Sequence, residues 1–185
     1  MTRSPKFTIY FGKVNETPIG NIWIACSERG LVAVDWEKSE AAFLKNLSRR
    51  IKTPLENNPR RLAHTESQLR EYLGGERKRF TIAIDWSMMR SFQREALLAT
   101  FAIPYGQTST YGEIAMQIGR PRSARAVGHA EATNPMPLVI PCHRVLGSDG
   151  KLRGYGGGLD IKKWLLRLQG GGLAEKKEIV KNKKK

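Results

Sequence analysis

Runs of hydrophobic positions between polar turns predict β-strands in the first part of the chain. Three segments are rich in Ile, Val, Trp and Tyr: residues 7–14, 19–27 and 31–36. Those residue types suit a pleated, half-buried surface. Gly30 follows a turn and suits a short hairpin, because glycine tolerates positive φ angles. Residues 80–86 alternate between apolar and polar positions and predict a fourth strand.

Apolar residues with helical spacing predict two helices between the third and fourth strands. The first runs from a capping Ser39 to about Arg50, and the second covers residues 60–73. A polar loop at 52–59 joins them. Residues 1–86 contain no chemical motif, and we interpret them as a small N-terminal α/β scaffold domain with an antiparallel sheet.

After this domain the pattern becomes mostly helical. Helices are predicted at residues 91–103, 111–118, 122–133 and 160–169, with Ser91, Thr110 and Asp160 as caps. A turn containing Gly119 joins the second and third of them, which suggests a helix-turn-helix. The expected fold is therefore α+β. A mostly helical, winged-helix-like C-terminal domain covers residues 87–170, and a basic, disordered tail covers 171–185.

The helix after Gly119 has the composition of a DNA-reading helix. Its first residues are small or basic: Arg122, Ser123, Ala124, Arg125, Ala126 and Gly128. A helix with little side-chain bulk can lie close to a duplex, and its arginines can contact phosphates or enter a groove. Thr110, at the start of the preceding helix, is expected to belong to the same DNA-binding surface.

The overall charge supports a polyanionic partner. The 185 residues carry a formal net charge of +15, and the pI is about 10.2. Such a chain favours nucleic acid through phosphate neutralisation and counterion release. It contains no apolar run of about 18 residues, so no membrane span is expected. Two cysteines cannot form a disulfide framework, so a reducing, cytoplasmic setting is expected.

The candidate chemistry centres on Cys142, which follows a proline and precedes His143. A thiolate is a nucleophile, and a neighbouring imidazole or cation lowers the pKa of its thiol. The glycine-rich loop at 154–158 can bring backbone N–H groups close to a ligand. Cys26 ends a predicted strand and is interpreted as a core residue. No metal site is expected, because the histidines are scattered and no C-x-x-C or H-x-x-x-H spacing occurs.

Several motifs occur together in a fixed order. They are Tyr105-Gly106, Tyr111, Arg125-Ala-Val-Gly128, Asn134-Pro135, Pro141-Cys-His-Arg-Val145, Gly157-Gly-Leu159, Lys162 and Trp164-Leu-Leu166. From about residue 91 to 170 the chain resembles the O6-alkylguanine-DNA alkyltransferase family, the methylated-DNA–protein-cysteine methyltransferases. The first half resembles that family only in size and strand content.

The resemblance implies repair of double-stranded DNA by direct reversal of damage. The O6-alkylguanine is flipped out of the duplex, and its alkyl group moves irreversibly to Cys142, once per molecule. O4-alkylthymine is a further candidate substrate. The implied protein is a monomer that uses no cofactor and no metal.

The resemblance also implies residue roles. Cys142 is the nucleophile, His143 takes the thiol proton through a water, and Tyr111 donates its hydroxyl to guanine N3. Arg125 enters the duplex in place of the flipped nucleotide, and Asn134 ties the turn before the cysteine. The guanine pocket is expected to contain Pro137, Val145, Tyr155, Gly156 and Gly157.

One position departs from the family pattern. The family has a glutamate that hydrogen-bonds to the histidine, and the matching residue here is Gln169. A carboxylate stabilises imidazolium, whereas a neutral amide orients the ring without supplying charge. The hypothesis is that Cys142 ionises less readily than in other family members, and that alkyl transfer is slower or more dependent on pH.

Three other functions stay open on the residues alone. The first is a sensor that binds alkylated DNA without reacting, which Cys142 disfavours and Gln169 favours. The second is a basic helix-turn-helix regulator, which leaves the Pro-Cys-His run unexplained. The third is a cysteine hydrolase, for which His143 is poorly placed because it directly follows the cysteine.

Overall fold

The structure is a computed structural model that describes residues 7–170, so the tail predicted at 171–185 lies outside the described residues. Its strands are β1 (Ile9–Thr17), β2 (Gly20–Ser27), β3 (Gly30–Asp35), β4 (Leu55–Asn57), β5 (Ser109–Thr110) and β6 (Val145–Leu146). Its helices are α1 (Glu40–Arg50), α2 (Pro59–Leu73), α3 (Ser91–Phe101), α4 (Tyr111–Gln117), α5 (Ala124–Ala132) and α6 (Leu159–Leu168). Short 3-10 turns lie at Trp86–Met88 and Cys142–Arg144. The fold is α+β, as predicted.

A four-stranded sheet in the order β3-β2-β1-β4 forms the N-terminal half. The first three strands along the chain are antiparallel neighbours, and β4 runs parallel to β1. One face of the sheet packs against α1 through Phe43 and Leu47, and the other packs against α2 through Leu62 and Leu69. Both faces are therefore buried, which explains why the strands carry apolar residues at successive positions.

The face of the sheet that packs on α2 shares its core with the C-terminal half. The buried cluster includes Ile22, Ile24, Leu31, Leu69, Met136, Leu138, Val139, Ile140 and Leu165. The backbone N–H of Val34 in β3 also donates to the carbonyl of Pro135, at 2.9 Å. The segment that leads into Cys142 is thus anchored on the sheet by apolar burial and by a hydrogen bond.

Residues 80–86 do not form the predicted strand. Only Ile84 bridges to Leu31 of β3. The backbone N–H of Thr81 donates to the side chain of Gln68 instead (2.8 Å), so the segment leaves the ladder after one pair. Its alternating apolar residues still pack on the core, which is the origin of the pattern.

Gly30 lets this segment approach β3. Its φ is +139°, and an added Cβ would lie 2.3 Å from the carbonyl oxygen of Ala83. The predicted polar loop at 52–59 also differs, because Leu55–Asn57 pairs with the outer edge of β1 as β4. A short polar segment can form a strand when a neighbouring edge supplies its hydrogen bonds.

Helix starts follow the predictions at Ser39 and Thr110, whose side chains accept backbone N–H groups of the first turn. Two other caps are wrong. Arg90 is the residue before α3, and no side chain caps that helix. Gly158 precedes α6 with a φ of +91°, so Asp160 lies in the first turn, where its charge favours the helix dipole. Within the described residues, no helix has the length and apolar character needed to cross a membrane.

Candidate active site

Cys142 begins the 3-10 turn Cys142–Arg144 and is 6% exposed. The chain before it is held by Asn134, whose amide nitrogen donates to the carbonyl of Ile140 (2.9 Å) and whose oxygen accepts from the N–H of Met136 (3.0 Å). Leu138, inside this turn, has a φ of +74°. A fully buried leucine can hold that unfavourable angle only because the surrounding packing over-determines it.

The Cys142 thiol is a very weak acid in its buried environment. Burial and, after it, the negative charge of Glu131 raise its pKa to about 12, while Asn134 and Lys162 act in the opposite direction. The thiol is therefore protonated near neutral pH. A reaction at this sulfur needs a group that removes the proton as the sulfur attacks.

His143 is fully buried in a cluster with Tyr72, Arg144 and Gln169. The Gln169 amide nitrogen Nε2 lies 2.5 Å from His143 Nε2 and 2.8 Å from the Tyr72 hydroxyl. The Gln169 oxygen accepts from Arg144 Nε at 2.9 Å. Arg144 also donates to the carbonyl of Ile103 at 2.6 Å, which fixes the guanidinium.

The orientation of the Gln169 amide follows from Arg144. Because a guanidinium only donates, it must face the amide oxygen, and the amide nitrogen then faces His143. An amide nitrogen also only donates, so His143 Nε2 is the acceptor and the ring proton lies on Nδ1. Burial, then the charges of Arg144 and Lys162, hold the pKa of His143 well below its usual value. The ring is therefore neutral.

Glu131 is a second buried ionisable group in the site, which the sequence patterns did not indicate. It lies on α5, is 7% exposed, and accepts a hydrogen bond from the Thr100 hydroxyl at 2.5 Å. Its other carboxyl oxygen has no hydrogen-bond partner among the described residues. Burial raises the pKa of Glu131 to about 7. An acidic residue at a buried position of a small-residue helix is the signal in the sequence that points to it.

Tyr111 is the first residue of α4 and is half-buried. Its pKa is raised by burial and then by the charges of Glu131 and Cys142, so the phenol lies within electrostatic range of both groups. Thr110 and Glu113 form a reciprocal capping box that fixes the start of α4 and therefore the position of this side chain.

Lys162 connects α6 to the site. Its buried ammonium donates to the carbonyls of Val145 (2.8 Å) and Arg153 (3.2 Å), and burial lowers its pKa. It therefore joins β6 to the chain just before the glycine-rich loop. Lys162 also affects the pKa values of Cys142 and Glu131, so it lies within range of both charges.

The glycine-rich loop brings Tyr155 against the cysteine turn. The Tyr155 ring packs edge-on against His143 (6.3 Å between centroids) and Trp36 (5.8 Å). An added Cβ on Gly157 would lie 3.2 Å from Ile161 and 3.3 Å from Tyr155, so this position has little space for a side chain. Pro137 and Gly156 line a cavity of about 250 Å³ that also reaches Trp36. Val145 is fully buried at the other side of the turn.

The predicted DNA-binding residues lie at the start of α4, in the turn before α5 and on α5. Arg122 precedes α5 in a turn instead of lying on the predicted helix, because the chain is bent at Pro121 and the helix begins at Ala124. Arg125 and Ala126 are exposed, while Ser123 and Ala124 are partly exposed. Neither arginine forms a salt bridge within the described part of the chain.

Gly128 has a different environment from its neighbours on α5. An added Cβ would meet the Tyr111 ring at 3.9 Å, so the glycine faces that ring. Tyr72 and Arg144 are further residues of the site that the sequence patterns did not identify. Tyr72 appears in the sequence only as part of the apolar face of α2, and it lies 97 positions from its partner Gln169.

Comparison with known proteins covers both halves of the chain. Residues 8–86 match the family model described as 6-O-methylguanine DNA methyltransferase, ribonuclease-like domain, and residues 91–171 match its DNA binding domain. A methylated-DNA–protein-cysteine methyltransferase of Methanosarcina barkeri is 44% identical over 156 residues, which are 83% of this chain and 93% of that protein. The same-named protein of Mycolicibacterium paratuberculosis is 53% identical over 112 residues, 60% of this chain and 67% of that protein.

Solved structures give the same relationship. The Mycobacterium tuberculosis OGT in complex with DNA superposes with a TM-score of 0.73 at 36% identity, over 86% of this chain and 92% of that one. The O6-methylguanine-DNA methyltransferase of the hyperthermophilic archaeon Pyrococcus kodakaraensis superposes with a TM-score of 0.59 at 21% identity, over 88% of this chain and 99% of that one, which supports the fold.

Proposed function

The chain belongs to the 6-O-methylguanine DNA methyltransferase family, and we propose how its own residues carry out the family reaction. It repairs DNA by direct reversal, as a methylated-DNA–protein-cysteine methyltransferase. The observation that carries the residue-level proposal is one buried thiol, Cys142, directly before His143 in the chain and within electrostatic range of the Tyr111 phenol.

DNA docks on the surface of α4 and α5 in this proposal. The exposed Arg122 neutralises a phosphate, and Arg125 enters the duplex to fill the space of the flipped nucleotide. The small side chains Ala124 and Ala126 let α5 lie close to the backbone of the duplex. The capped start of α4 at Thr110 supplies a further contact.

The flipped guanine is bound between the cysteine turn and the glycine-rich loop. Pro137 and Tyr155 form the walls, and the backbone near Val145 and Gly156 hydrogen-bonds to the edge of the base. Gly157 keeps the loop close to Tyr155, because a side chain there would contact the ring. Lys162 stabilises both sides of the pocket through its two carbonyl contacts.

The chemical step is a displacement at the alkyl carbon. The Cys142 sulfur forms a bond to that carbon, the carbon–O6 bond breaks, and the electron pair stays on the guanine oxygen. Tyr111 donates its hydroxyl to guanine N3 and reduces the charge on the leaving base. The thioether has no good leaving group, so each molecule reacts once.

The family pattern assigns the thiol proton to His143, through a water. Its Nδ1 has no hydrogen-bond partner among the described residues, which supports a position for such a water. With Gln169 donating to Nε2, however, Nδ1 already carries the ring proton. Nδ1 of His143 is therefore suited to donate a hydrogen bond to a water near the Cys142 sulfur, and less suited to accept the proton of the thiol.

We also propose a division of labour at residue 86. Residues 87–170 contain Cys142 and the DNA-binding helices, and residues 1–86 support them through the shared core and Tyr72. Residues 171–185 add non-specific attraction to DNA. The repair of chromosomal DNA by a monomer in the cytoplasm is the proposed setting.

Intact-protein mass spectrometry tests the function directly. The protein is incubated with a duplex that contains one O6-methylguanine. We expect the mass to increase by one methyl group in place of a hydrogen, with the modification on Cys142 and none in Cys142→Ala. Cys26→Ala is the matched control, because Cys26 is the other buried cysteine, and it should react fully. Binding to the damaged duplex without a mass change would indicate a sensor, and equal binding to undamaged DNA would indicate a regulator.

A further inference from the structure

Four buried side-chain atoms in the described part of the chain have no hydrogen-bond partner. Three belong to residues that adjoin Cys142 or lie within electrostatic range of it, and the fourth belongs to Trp36, which packs against Tyr155. The four atoms are Trp36 Nε1, Glu131 Oε2, His143 Nδ1 and the Tyr155 hydroxyl. Buried polar groups are normally paired, so an unpaired one in an active site needs an explanation. Three of these atoms are donors in the neutral protein. Glu131 Oε2 is the one that accepts a proton when its carboxyl group is ionised.

The hydrogen bonds of His143 leave no free acceptor on the imidazole. Nε2 accepts from the Gln169 amide, and Nδ1 carries the proton of the neutral ring. To become a base, the ring would have to be protonated at Nε2, which would place two donors against each other at 2.5 Å. The nearby charges of Arg144 and Lys162 also oppose an imidazolium. The proton of Cys142 therefore needs another acceptor.

Glu131 is the carboxyl group within electrostatic range of that proton. Thr100 from α3 donates a hydrogen bond to it. Tyr111 from α4, Cys142 from the cysteine turn and Lys162 from α6 lie within electrostatic range of its charge, and Arg153 acts on Tyr111. Thr100 holds one carboxyl oxygen, so the unpaired one is available. A base whose pKa is about 7 is half ionised at neutral pH, where general-base catalysis is most effective.

We propose that Glu131 accepts the proton of the Cys142 thiol during alkyl transfer. This role rests on the proposed function of Cys142. The S–H bond breaks and its proton passes to Glu131 Oε2 through one bridging water. The sulfur pair forms the bond to the alkyl carbon, and the carbon–O6 pair stays on guanine. Glu131 then returns the proton through Tyr111 to the base, so guanine leaves neutral and the carboxylate is restored.

The test compares single-turnover rate constants of methyl transfer in wild type and Glu131→Gln, from mildly acidic to mildly alkaline pH. In wild type the rate should rise as Glu131 ionises, with a midpoint near pH 7. Glu131→Gln should transfer methyl about 100-fold more slowly and lose that midpoint, because a positioned general base contributes on this order. Glu95→Gln is the matched control, since Glu95 is a surface carboxylate paired with Arg120 at 3.1 Å, and its rate should not change.

A second background separates a proton acceptor from a structural residue. Gln169→Glu gives His143 a carboxylate partner and frees Nδ1 to accept a proton. If Glu131 accepts the thiol proton because His143 cannot, His143 should take over that task in the Gln169→Glu background. Glu131→Gln should then lower the transfer rate by no more than about tenfold in that background. A merely structural role predicts the same loss in both backgrounds, and that result would overturn the proposal.

A transfer rate that does not fall in Glu131→Gln would also decide against the proposal. The charge of Glu131 opposes the thiolate, so if repulsion were its main effect, Glu131→Gln would react as fast as wild type or faster. That outcome contradicts the proposal but leaves the proposed function intact, because the final mass gain at Cys142 stays complete. Should Glu131→Gln fail to fold, Glu131→Asp serves instead. We expect it to be slower than wild type with its pH midpoint retained, and a pH-independent rate would overturn the role.

Discussion

The donor and the acceptor are fixed in each hydrogen bond of the Gln169 amide. Arg144 donates to the amide oxygen, and the amide nitrogen donates to His143 and Tyr72. A glutamate in the same place would accept from all three partners and would carry a charge. A change of one atom, from oxygen to nitrogen, therefore alters both the tautomer of His143 and the charge next to it.

Gln169→Glu should make Cys142 more reactive. The new carboxylate can accept from His143 Nε2 and pair with Arg144, and such a charge-assisted bond is stronger than the amide bond by about 1 kcal/mol. We expect the rate of methyl transfer at neutral pH to rise by roughly fivefold to tenfold, with a lower thiol pKa. Iodoacetamide titration of Cys142 and single-turnover kinetics measure both quantities. An unchanged rate and thiol pKa would remove the hypothesis that Gln169 limits activation.

Tyr111→Phe should slow the chemical step without weakening the fold. The ring keeps its contact with Gly128, whereas the donor for the leaving base is lost. Removing one positioned donor costs on the order of 100-fold in rate. The affinity for damaged duplex, measured in a Cys142→Ala background, should stay within about twofold. A rate equal to wild type would exclude Tyr111 from the reaction.

The two faces of helix α5 have different surroundings. Val127, Ala130 and Glu131 are buried toward the site, whereas Arg125 and Ala126 face outward. The residues proposed to contact DNA therefore lie on the outer face, while an acidic residue is held on the inner face. The two faces meet at Gly128, which lies over the Tyr111 ring.

Gly128→Ala tests what that glycine is for. The new Cβ would meet Tyr111 at 3.9 Å, an ordinary van der Waals distance, and alanine favours a helix interior by about 1 kcal/mol over glycine. We expect the free energy of unfolding to increase by about 0.5–1 kcal/mol, with little change in DNA affinity. Ala126→Gly, on the outer face of the same helix, should lower it by a similar amount. Urea unfolding measures both variants, and a destabilised Gly128→Ala would show that the ring contact is too tight.

At the scale of the whole molecule, the net charge of +15 governs encounter with DNA. Each phosphate that the protein neutralises contributes about −0.9 to the slope of log affinity against log salt. Arg122 and Arg125 are exposed and form no salt bridge within the described residues. They are therefore free to pair with phosphates.

Arg122→Ala and Arg125→Ala should have different signatures. Arg122→Ala should weaken binding and reduce the salt slope by about 0.9, as expected for one phosphate contact. Arg125→Ala should reduce the transfer rate more than the affinity, because it removes the group that replaces the flipped nucleotide. Arg70→Ala on α2, where Arg70 pairs with Glu66 at 2.8 Å, is the control and should change neither. Equal effects of the first two variants on the salt slope would contradict the distinction.

Glu131 should also make stability depend on pH. Its pKa is raised in the folded state from 4.5 to about 7, so its favourable contribution is present below pH 4.5 and is lost as the pH rises toward 7. Glu131→Gln removes this dependence. At pH 7 and above the variant should be more stable than wild type by about 3 kcal/mol, an order of magnitude set by the size of the shift. Denaturant unfolding of both proteins at pH 4.5 and at pH 7 measures the difference between their free energies of unfolding. A difference that does not change with pH would contradict the burial of an ionisable Glu131.

The sequence by itself determined the features that depend on neighbours along the chain. Helix caps at Ser39 and Thr110 and the α4–α5 pair were predictable, because they arise within one or two turns of backbone. The residues expected in the site were named from motifs that resemble those of a known family. Residues 80–86 show the limit of such patterns. Their apolar residues alternate because they pack on the core, yet the segment makes a single bridge and forms no strand.

The tertiary structure alone decided the environment of those residues. Tyr72 reaches Gln169 across 97 positions, and Glu131 is buried only because α3, α4 and α6 pack around it. Such contacts depend on how the two halves share one core, which no local pattern encodes. The direction of a hydrogen bond and the pKa of a buried carboxyl both follow from these distant partners, and so does the group that can accept the Cys142 proton.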